Sequence, residues 1–375
     1  MEAKIKNIFV LVLVFTAIST TTLWLITPDK GGKTRVIAGS GNTLLGSIKT
    51  SPPETDNQDT TMTQNSAEAP ESGVPLSREE IESTAATEEV DQQARDAAAY
   101  LALGIESYKK EDLQKAISHF QEALRLEPGN STAQQLIAKV SREAKVEDSF
   151  NNKEGTHFNV KYEGGESDVA GHVVAIILEE AYHKVGSDLG FYPDDSITTI
   201  LYSATQFMDV TRAPAWSGGI YDGKIRIPVG GLRERTAVLE KVIFHEYTHA
   251  VVHRMGGGRV PVWLNEGIAQ YEDGRNEGRD DLFRYLASAE NLVPLKYLEG
   301  SFMGLNQNQA IVAYGEGLSA VKYIMDEYGM GILTKLVSSY RDGKDSEASI
   351  KDTFQMTYKE FQESWIRNLK KRYGS

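Results

Sequence analysis

The stretch KVIFHEYTHAVVHRMGGG, residues 241–258, most restricts what this chain can fold into. Its two histidines, His245 and His249, lie four positions apart and therefore share one face of a helix. The residues around them are apolar, and the three glycines at its end stop the helix. We therefore predict a buried helix with both imidazoles directed at one ion. Glu246 lies beside the first ligand, where its carboxylate can accept a proton from bound water.

A second segment, WLNEGIAQY (residues 263–271), supplies a further ligand. Glu266 follows His249 by seventeen residues, in a short helix entered through Pro261. Two histidines and one glutamate leave the fourth position of a zinc ion open, which is the catalytic rather than the structural arrangement. The sequence thus predicts a Zn²⁺ site formed by His245, His249 and Glu266.

The region from Thr156 onward mixes strand and helix patterns, with strands first and helices afterwards. This order predicts an α+β domain, a small antiparallel-type sheet beside a helical subdomain. Strands are expected at His157–Tyr162 and Ile197–Tyr202 and twice within Trp216–Val229, and helices at Val169–Leu189, Arg235–Met255, Val262–Tyr271, Gln309–Tyr328, Gly331–Tyr340 and Tyr358–Arg372.

The N-terminal 28 residues contain a charge-free apolar stretch, Ile8–Ile26, which is just long enough to cross a bilayer. No small-x-small cleavage site follows it, so an uncleaved membrane anchor is favoured over a signal peptide. The usual orientation would place the rest of the chain outside the cytoplasm, in the periplasm or at the cell surface.

Residues 29–91 are polar and acidic, and we expect a disordered linker there because so few apolar residues are available for burial. Twelve acidic residues against two arginines between Ser51 and Asp96 account for most of the net charge of −13. The remainder is nearly balanced, which argues against a nucleic-acid partner. The chain has no cysteine, so a thiolate metal ligand or nucleophile is excluded.

Residues 92–146 read as helices and resemble a tetratricopeptide repeat. The residues that carry the resemblance are Tyr100, Leu103, Gly104, Tyr108, Leu113, Ala116, Phe120, Ala123 and Pro128. A third helix, Ser131–Lys145, is expected to cap the pair. One repeat is fewer than the three or so that are stable alone. The repeat could be a spacer or a binding site for a protein partner, and the sequence leaves both functions open.

The two metal-binding motifs resemble those of the gluzincins, and most closely the bacterial peptidase-MA-like domains. This resemblance implies a thermolysin-like zinc metallopeptidase domain over residues 152–375, with His245, His249 and Glu266 on zinc and Glu246 as general base. It also implies an oxyanion donor on a later helix, for which Tyr314 is preferred to Tyr323. In such peptidases an edge strand pairs with the substrate, which gives Gly218 and Gly219 a role in substrate binding, although they could simply shape a hairpin.

Three functions follow as hypotheses. The first is a membrane-tethered zinc peptidase acting on peptides or proteins, more plausibly an endopeptidase because the Gly-x-Met-Glu-Asn segment of related aminopeptidases is missing. The second is an interaction protein whose zinc site is structural or inactive. The third is a zinc hydrolase acting on cell-envelope peptides. His253, one turn beyond His249, is expected to be a bystander, and Asn265 and Gln270 are candidates for orienting the ligands.

Overall fold

The computed structural model describes residues 78–374, apart from 166, 214–216, 230, 231, 233, 276 and 291. These residues form two compact units that divide between Lys145 and Val146. Within the described residues, no helix has both the length and the apolar character needed to span a bilayer. The predicted anchor at 1–28 lies outside the described part of the chain.

The described part of the first unit contains three helices: α1 (Arg78–Lys109), α2 (Leu113–Leu126) and α3 (Ser131–Glu147), the last of which ends just inside the second unit. Gly104 and Phe120 are packed so closely that a Cβ on Gly104 would lie 2.4 Å from the ring, as the repeat pattern predicts. Helix α1 begins at Arg78, so the linker predicted for 29–91 is too long at its C-terminal end. Its last part, residues 78–91, has five Glu and two Ala, which favour helix although the segment offers few apolar residues for burial.

The second unit contains a five-stranded sheet. Its strands are β1 (Asn151–Glu154), β2 (Phe158–Tyr162), β3 (Ile197–Tyr202), β4 (Ile220–Tyr221) and β5 (Ile225–Pro228). The order is β1-β2-β3-β5-β4, with parallel pairing of β2, β3 and β5 and antiparallel pairing at both edges. The antiparallel-type sheet expected from the sequence is therefore wrong. The helical connections between β2, β3 and β5 are crossovers that return the chain in the same direction.

Among the residues of the second unit that the structure describes, nine more segments are α-helices. They are α4 (Ser167–Leu189), α5 (Ala204–Thr211), α6 (Ala237–Gly256), α7 (Val262–Glu272), α8 (Asp280–Ser288), α9 (Gln307–Tyr328), α10 (Met330–Ser339), α11 (Ser346–Phe354) and α12 (Tyr358–Tyr373), with 3₁₀ turns at Leu295–Leu298 and Phe302–Gly304. The predicted helices lie within a few residues of α4, α6, α7, α9, α10 and α12, while β1, α5, α8 and α11 were not predicted.

Helix α6 lies at the centre of this unit, between α4 and α7 and next to the sheet. Thr236 caps its N-terminus through a hydrogen bond from the Leu239 amide, and Gly257 ends it in the left-handed region at φ +62°. Every residue from Val242 to Val252 is buried. A helix that is buried all round belongs to the interior of a large core, so its polar side chains face other protein groups rather than bulk water.

Candidate metal centre

His245 and His249 lie on consecutive turns of α6, and their ring centroids are 4.7 Å apart with the planes nearly perpendicular. Each ring is held by a hydrogen bond at Nδ1. His245 Nδ1 is 2.9 Å from Asp273 Oδ2, and His249 Nδ1 is 3.0 Å from Asn265 Oδ1. Because these partners accept hydrogen bonds, Nδ1 carries the proton and the Nε2 lone pair of each ring stays available for a metal.

Glu266 on α7 faces both free nitrogen atoms. Its Oε2 is 3.4 Å from His245 Nε2 and 3.6 Å from His249 Nε2. One ligand atom from each of the three residues lies within 4.8 Å of the others, and within the described ranges no other such group of His, Cys, Asp or Glu occurs. The structure thus brings together all three predicted ligands, from two helices that meet at this point.

The three side chains are arranged to bind a metal ion rather than to hydrogen-bond to one another. Glu266 Oε2 is buried and has no hydrogen-bond partner in the described part of the chain, which costs free energy unless a cation binds there. Two imidazole nitrogens and one carboxylate oxygen form the ligand set of a catalytic zinc site. The donor set and its geometry are therefore those expected for Zn²⁺.

The pKa values show how strongly the site favours positive charge. Burial lowers the pKa of His245, but Asp273 and Glu266 outweigh this and raise it to about 9. Burial raises the pKa of Glu266, yet the two histidines hold it below its usual value. The pKa of His249 is lowered, mainly by burial. Protons and a metal cation would therefore compete for this cluster.

Glu246 is buried beside the first ligand, and burial together with the charge of Glu266 raises its pKa to about 7. The backbone of Gly219 lies against this side chain, since a Cβ on Gly219 would be 2.8 Å from both Cγ and Oε1 of Glu246. Ser217 Oγ donates a hydrogen bond of 2.6 Å to the Gly219 carbonyl. Of the two predicted glycines, Gly219 thus contacts the site, and half-buried Gly218 precedes it.

Tyr314 on α9 lies near the same carboxylates, whereas Tyr323 does not. Gln270 Nε2 donates to the carbonyls of Glu266 (3.1 Å) and Tyr314 (2.9 Å), which ties the two helices together beside the ligand. Burial and the charges of Glu266 and Glu246 hold the pKa of Tyr314 well above its usual value. Tyr323 lies more than two turns further along and has its hydroxyl 3.2 Å from that of Tyr328.

Gln270 has another role than the sequence suggests, and Asp273 was not recognised from the sequence. Gln270 donates hydrogen bonds to backbone carbonyls and not to a ligand side chain. Asn265 does orient a ligand, because its Oδ1 is hydrogen-bonded to His249 Nδ1. His253 packs edge-to-face on Tyr221 and is not part of the ligand cluster. Asp273 was missed, because it follows the end of α7 and reaches His245 only through the fold. In the sequence, the one indication of its role was that an acidic residue follows the predicted helix that carries Glu266.

Comparison with known protein families agrees with this geometry. The sequence model of the Peptidase MA superfamily matches residues 178–371, just over half of the chain. A tetratricopeptide repeat matches residues 97–130. No curated protein matches the chain. The two family resemblances predicted from the motifs are thereby confirmed.

Proposed function

The chain belongs to the Peptidase MA superfamily, and from this we propose that it is a zinc-dependent peptidase with His245, His249 and Glu266 as metal ligands. This proposal is supported mainly by the three ligand atoms that lie within 4.8 Å of one another. Each histidine is also oriented by a hydrogen bond at Nδ1, which leaves Nε2 for the metal. A bound zinc ion supplies Lewis-acid chemistry, polarising a carbonyl and making water more acidic. The small sheet beside a mostly helical part supports a thermolysin-like fold.

Glu246 is the general base in this proposal. Its carboxylate is buried beside His245 and has a pKa of about 7, a value suited to accepting a proton from water and returning it to the leaving amine near neutral pH. Tyr314 is the proposed oxyanion donor. Its raised pKa keeps the phenol protonated, so that it can donate a hydrogen bond where negative charge develops on the substrate carbonyl.

The substrate is proposed to bind as an extended peptide along β4. This strand is at the edge of the sheet, and Gly219 directly precedes it with its backbone against Glu246. An edge strand offers unpaired main-chain groups to a peptide, and the missing aminopeptidase segment favours internal cleavage. Gly218 and Gly219 would then allow the close approach of the two backbones.

We also propose that residues 8–26 anchor the chain in a membrane, with the peptidase unit outside the cytoplasm and the repeat unit binding a protein partner. The support is the charge-free N-terminal sequence and the tetratricopeptide match. Membrane fractionation after carbonate washing tests the anchor, and recovery of the chain in the soluble fraction would refute it.

The peptidase proposal is tested with the full chain by metal analysis and peptide hydrolysis. Wild type should hold one zinc per chain, and His249→Ala should hold none. His253→Ala is the matched control, because it removes a histidine from the same helix that lies outside the ligand cluster. Glu246→Gln should keep zinc and lose hydrolysis. If Glu246→Gln hydrolysed proteins and wall peptides as well as wild type, the proposed mechanism would be wrong. If zinc-loaded wild type hydrolysed none of them, an interaction protein would be the better conclusion.

A further inference from the structure

The segment that joins α7 to α8 carries two arginines close to the metal centre, Arg275 and Arg279. Arg275 is bound to the carboxylate that orients His245. Its Nε is 3.0 Å from Asp273 Oδ2, and its backbone amide donates to Asp273 Oδ1 at 3.0 Å. Only 12% of its side chain is exposed. This arginine is therefore committed to Asp273.

Arg279 is half-buried, and none of the hydrogen bonds or ion pairs found among residues 78–374 involves its side chain. The two acidic residues that follow it are exposed, and both are paired with Arg284, at 3.9 Å for Asp280 and 2.7 Å for Asp281. Asp273, whose charge acts on Arg279, already binds His245 and Arg275. A guanidinium thus lies partly out of water without a bound carboxylate.

The position of Arg279 is electrostatically unfavourable. Burial and the neighbouring charge of Arg275 lower its pKa, and attraction by Asp273 offsets only part of this. A desolvated charge costs free energy unless an opposite charge or hydrogen-bond acceptors compensate for it. Such an uncompensated group beside a catalytic site indicates a ligand that supplies the missing charge.

Arg279 directly precedes α8, a helix that packs against α9 next to Tyr314. Leu282, one turn further along, packs against Gly315, so that a Cβ there would be 3.2 Å from its methyl groups. Arg275 is close enough for its charge to act on the pKa values of Glu246, Glu266 and Tyr314. Arg275 therefore borders the reacting groups, and Arg279 follows it by four residues, at the start of the helix that contacts α9 beside Tyr314.

We propose that Arg279 is a specificity-determining residue that binds a carboxylate of the peptide substrate. This inference rests on the peptidase function proposed above and specifies its substrate as a peptide with an acidic group near the scissile bond. The guanidinium presents parallel N–H donors that match a carboxylate in a bidentate pair. The carboxylate comes either from an Asp or Glu side chain or from the free C-terminus of the peptide.

The test measures binding rather than turnover, with full-length Glu246→Gln protein loaded with zinc. Four fluorescent peptides of one sequence carry either Glu or Gln at one position and either a free or an amidated C-terminus. We expect at least one of the carboxylates to strengthen binding about tenfold, as a charge-assisted hydrogen bond does. A difference between the Glu and Gln peptides would identify a side-chain carboxylate as the group that Arg279 binds. A difference between the free and amidated peptides would identify the C-terminal carboxylate. Equal binding of all four peptides would overturn the inference.

Variants then assign the preference to Arg279. Arg279→Gln should reduce the difference between acid and amide to less than about twofold, and Arg279→Lys should keep part of it. Arg284→Gln is the matched control, because this arginine lies on α8, the helix that Arg279 precedes, and is exposed with acidic partners of its own. It should leave the preference unchanged. A preference that persists in Arg279→Gln, or an equal loss of affinity for all four peptides, overturns the assignment.

The two proposals fail in different ways. If the peptides bind without regard to charge and the wild type cleaves them, the peptidase function stands and the inference on Arg279 is wrong. If no peptide binds and none is cleaved, the peptidase function fails, and the inference falls with it. Zinc content and circular dichroism of each variant identify any that is misfolded, and the four-peptide comparison needs no Arg279 variant.

Discussion

The contact between α7 and α9 gives a direct test of how the metal centre is held in place. Two glycines, Gly267 and Gly317, allow these helices to touch through their backbones. A Cβ on Gly317 would lie 2.6 Å from the Trp263 carbonyl oxygen, where ordinary contact needs about 3.4 Å. Neither helix can relieve this by moving a side chain. The change Gly317→Ala should therefore push apart the helices that carry Glu266 and Tyr314.

The magnitude follows from two opposing effects. Alanine is favoured over glycine in a helix interior by about 1 kcal/mol. Overpacking a dense core costs roughly 1–3 kcal/mol, and the upper end applies here because the clash of about 0.8 Å is with backbone. We expect Gly317→Ala to lower the free energy of unfolding by about 2 kcal/mol and to weaken zinc binding.

Gly315→Ala is the matched control on the same helix. The atoms nearest to its Cβ would be those of the Leu282 side chain, with both methyl groups at 3.2 Å. A small rotation of this side chain relieves the contact, so the helix preference of alanine should leave stability equal or slightly higher. Urea unfolding followed by tryptophan fluorescence reports on this unit, where Trp263 and Trp365 are buried. If both variants were equally stable and bound zinc equally, the backbone contact would not be what positions the ligands.

Three further predictions concern single side chains. Tyr314→Phe should lower kcat by about a hundredfold or more with zinc retained, and Tyr323→Phe should have little effect; equal losses in peptide hydrolysis would contradict the role of Tyr314. Burial raises the pKa of Glu316 from 4.5 to about 8, so the folded state holds a proton that the unfolded chain has lost between these values, and stability falls as pH rises through this range. Glu316→Gln should therefore gain stability relative to wild type between pH 5 and pH 8.5 in urea unfolding, and a difference independent of pH would refute this. Arg226→Met, which removes a buried ion pair, should cost about 3–5 kcal/mol, whereas Arg235→Met, in an exposed one, should cost less than about 1 kcal/mol; similar values in the same urea assay would contradict the effect of burial.

Local patterns were sufficient to predict the elements that carry the metal site. The spacing of His245 and His249 depends only on helix geometry, and Pro261 marks the start of the next helix, so α6 and α7 were found within a few residues. The strand Ile197–Tyr202 was predicted with its observed bounds, since its apolar run is bordered by polar residues. All of this information lies within short windows of the chain.

Features that depend on distant residues were not predicted. The parallel pairing of β2, β3 and β5 joins segments separated by whole helices, and no local pattern encodes it. The hydrogen bond from His245 to Asp273 spans 28 positions and two helices. Short helices such as α5 and α8 have too few turns for their periodicity to stand out. The two glycines between α7 and α9 looked like ordinary helix positions until their partners were known.

The edges of the sheet have a consequence for selectivity and for solubility. An exposed edge strand can pair with a strand of another chain and so cause aggregation, and proteins prevent this with short or charged edge strands. Here β1 is the polar sequence Asn-Asn-Lys-Glu, and β4 is only two residues long. Strand pairing between two molecules is thus disfavoured at both edges of the sheet. The same shortness limits a peptide at β4 to very few main-chain hydrogen bonds. Unfolded chains in general should therefore bind weakly at the proposed site, and selection must come from contacts between substrate side chains and the residues around the metal centre.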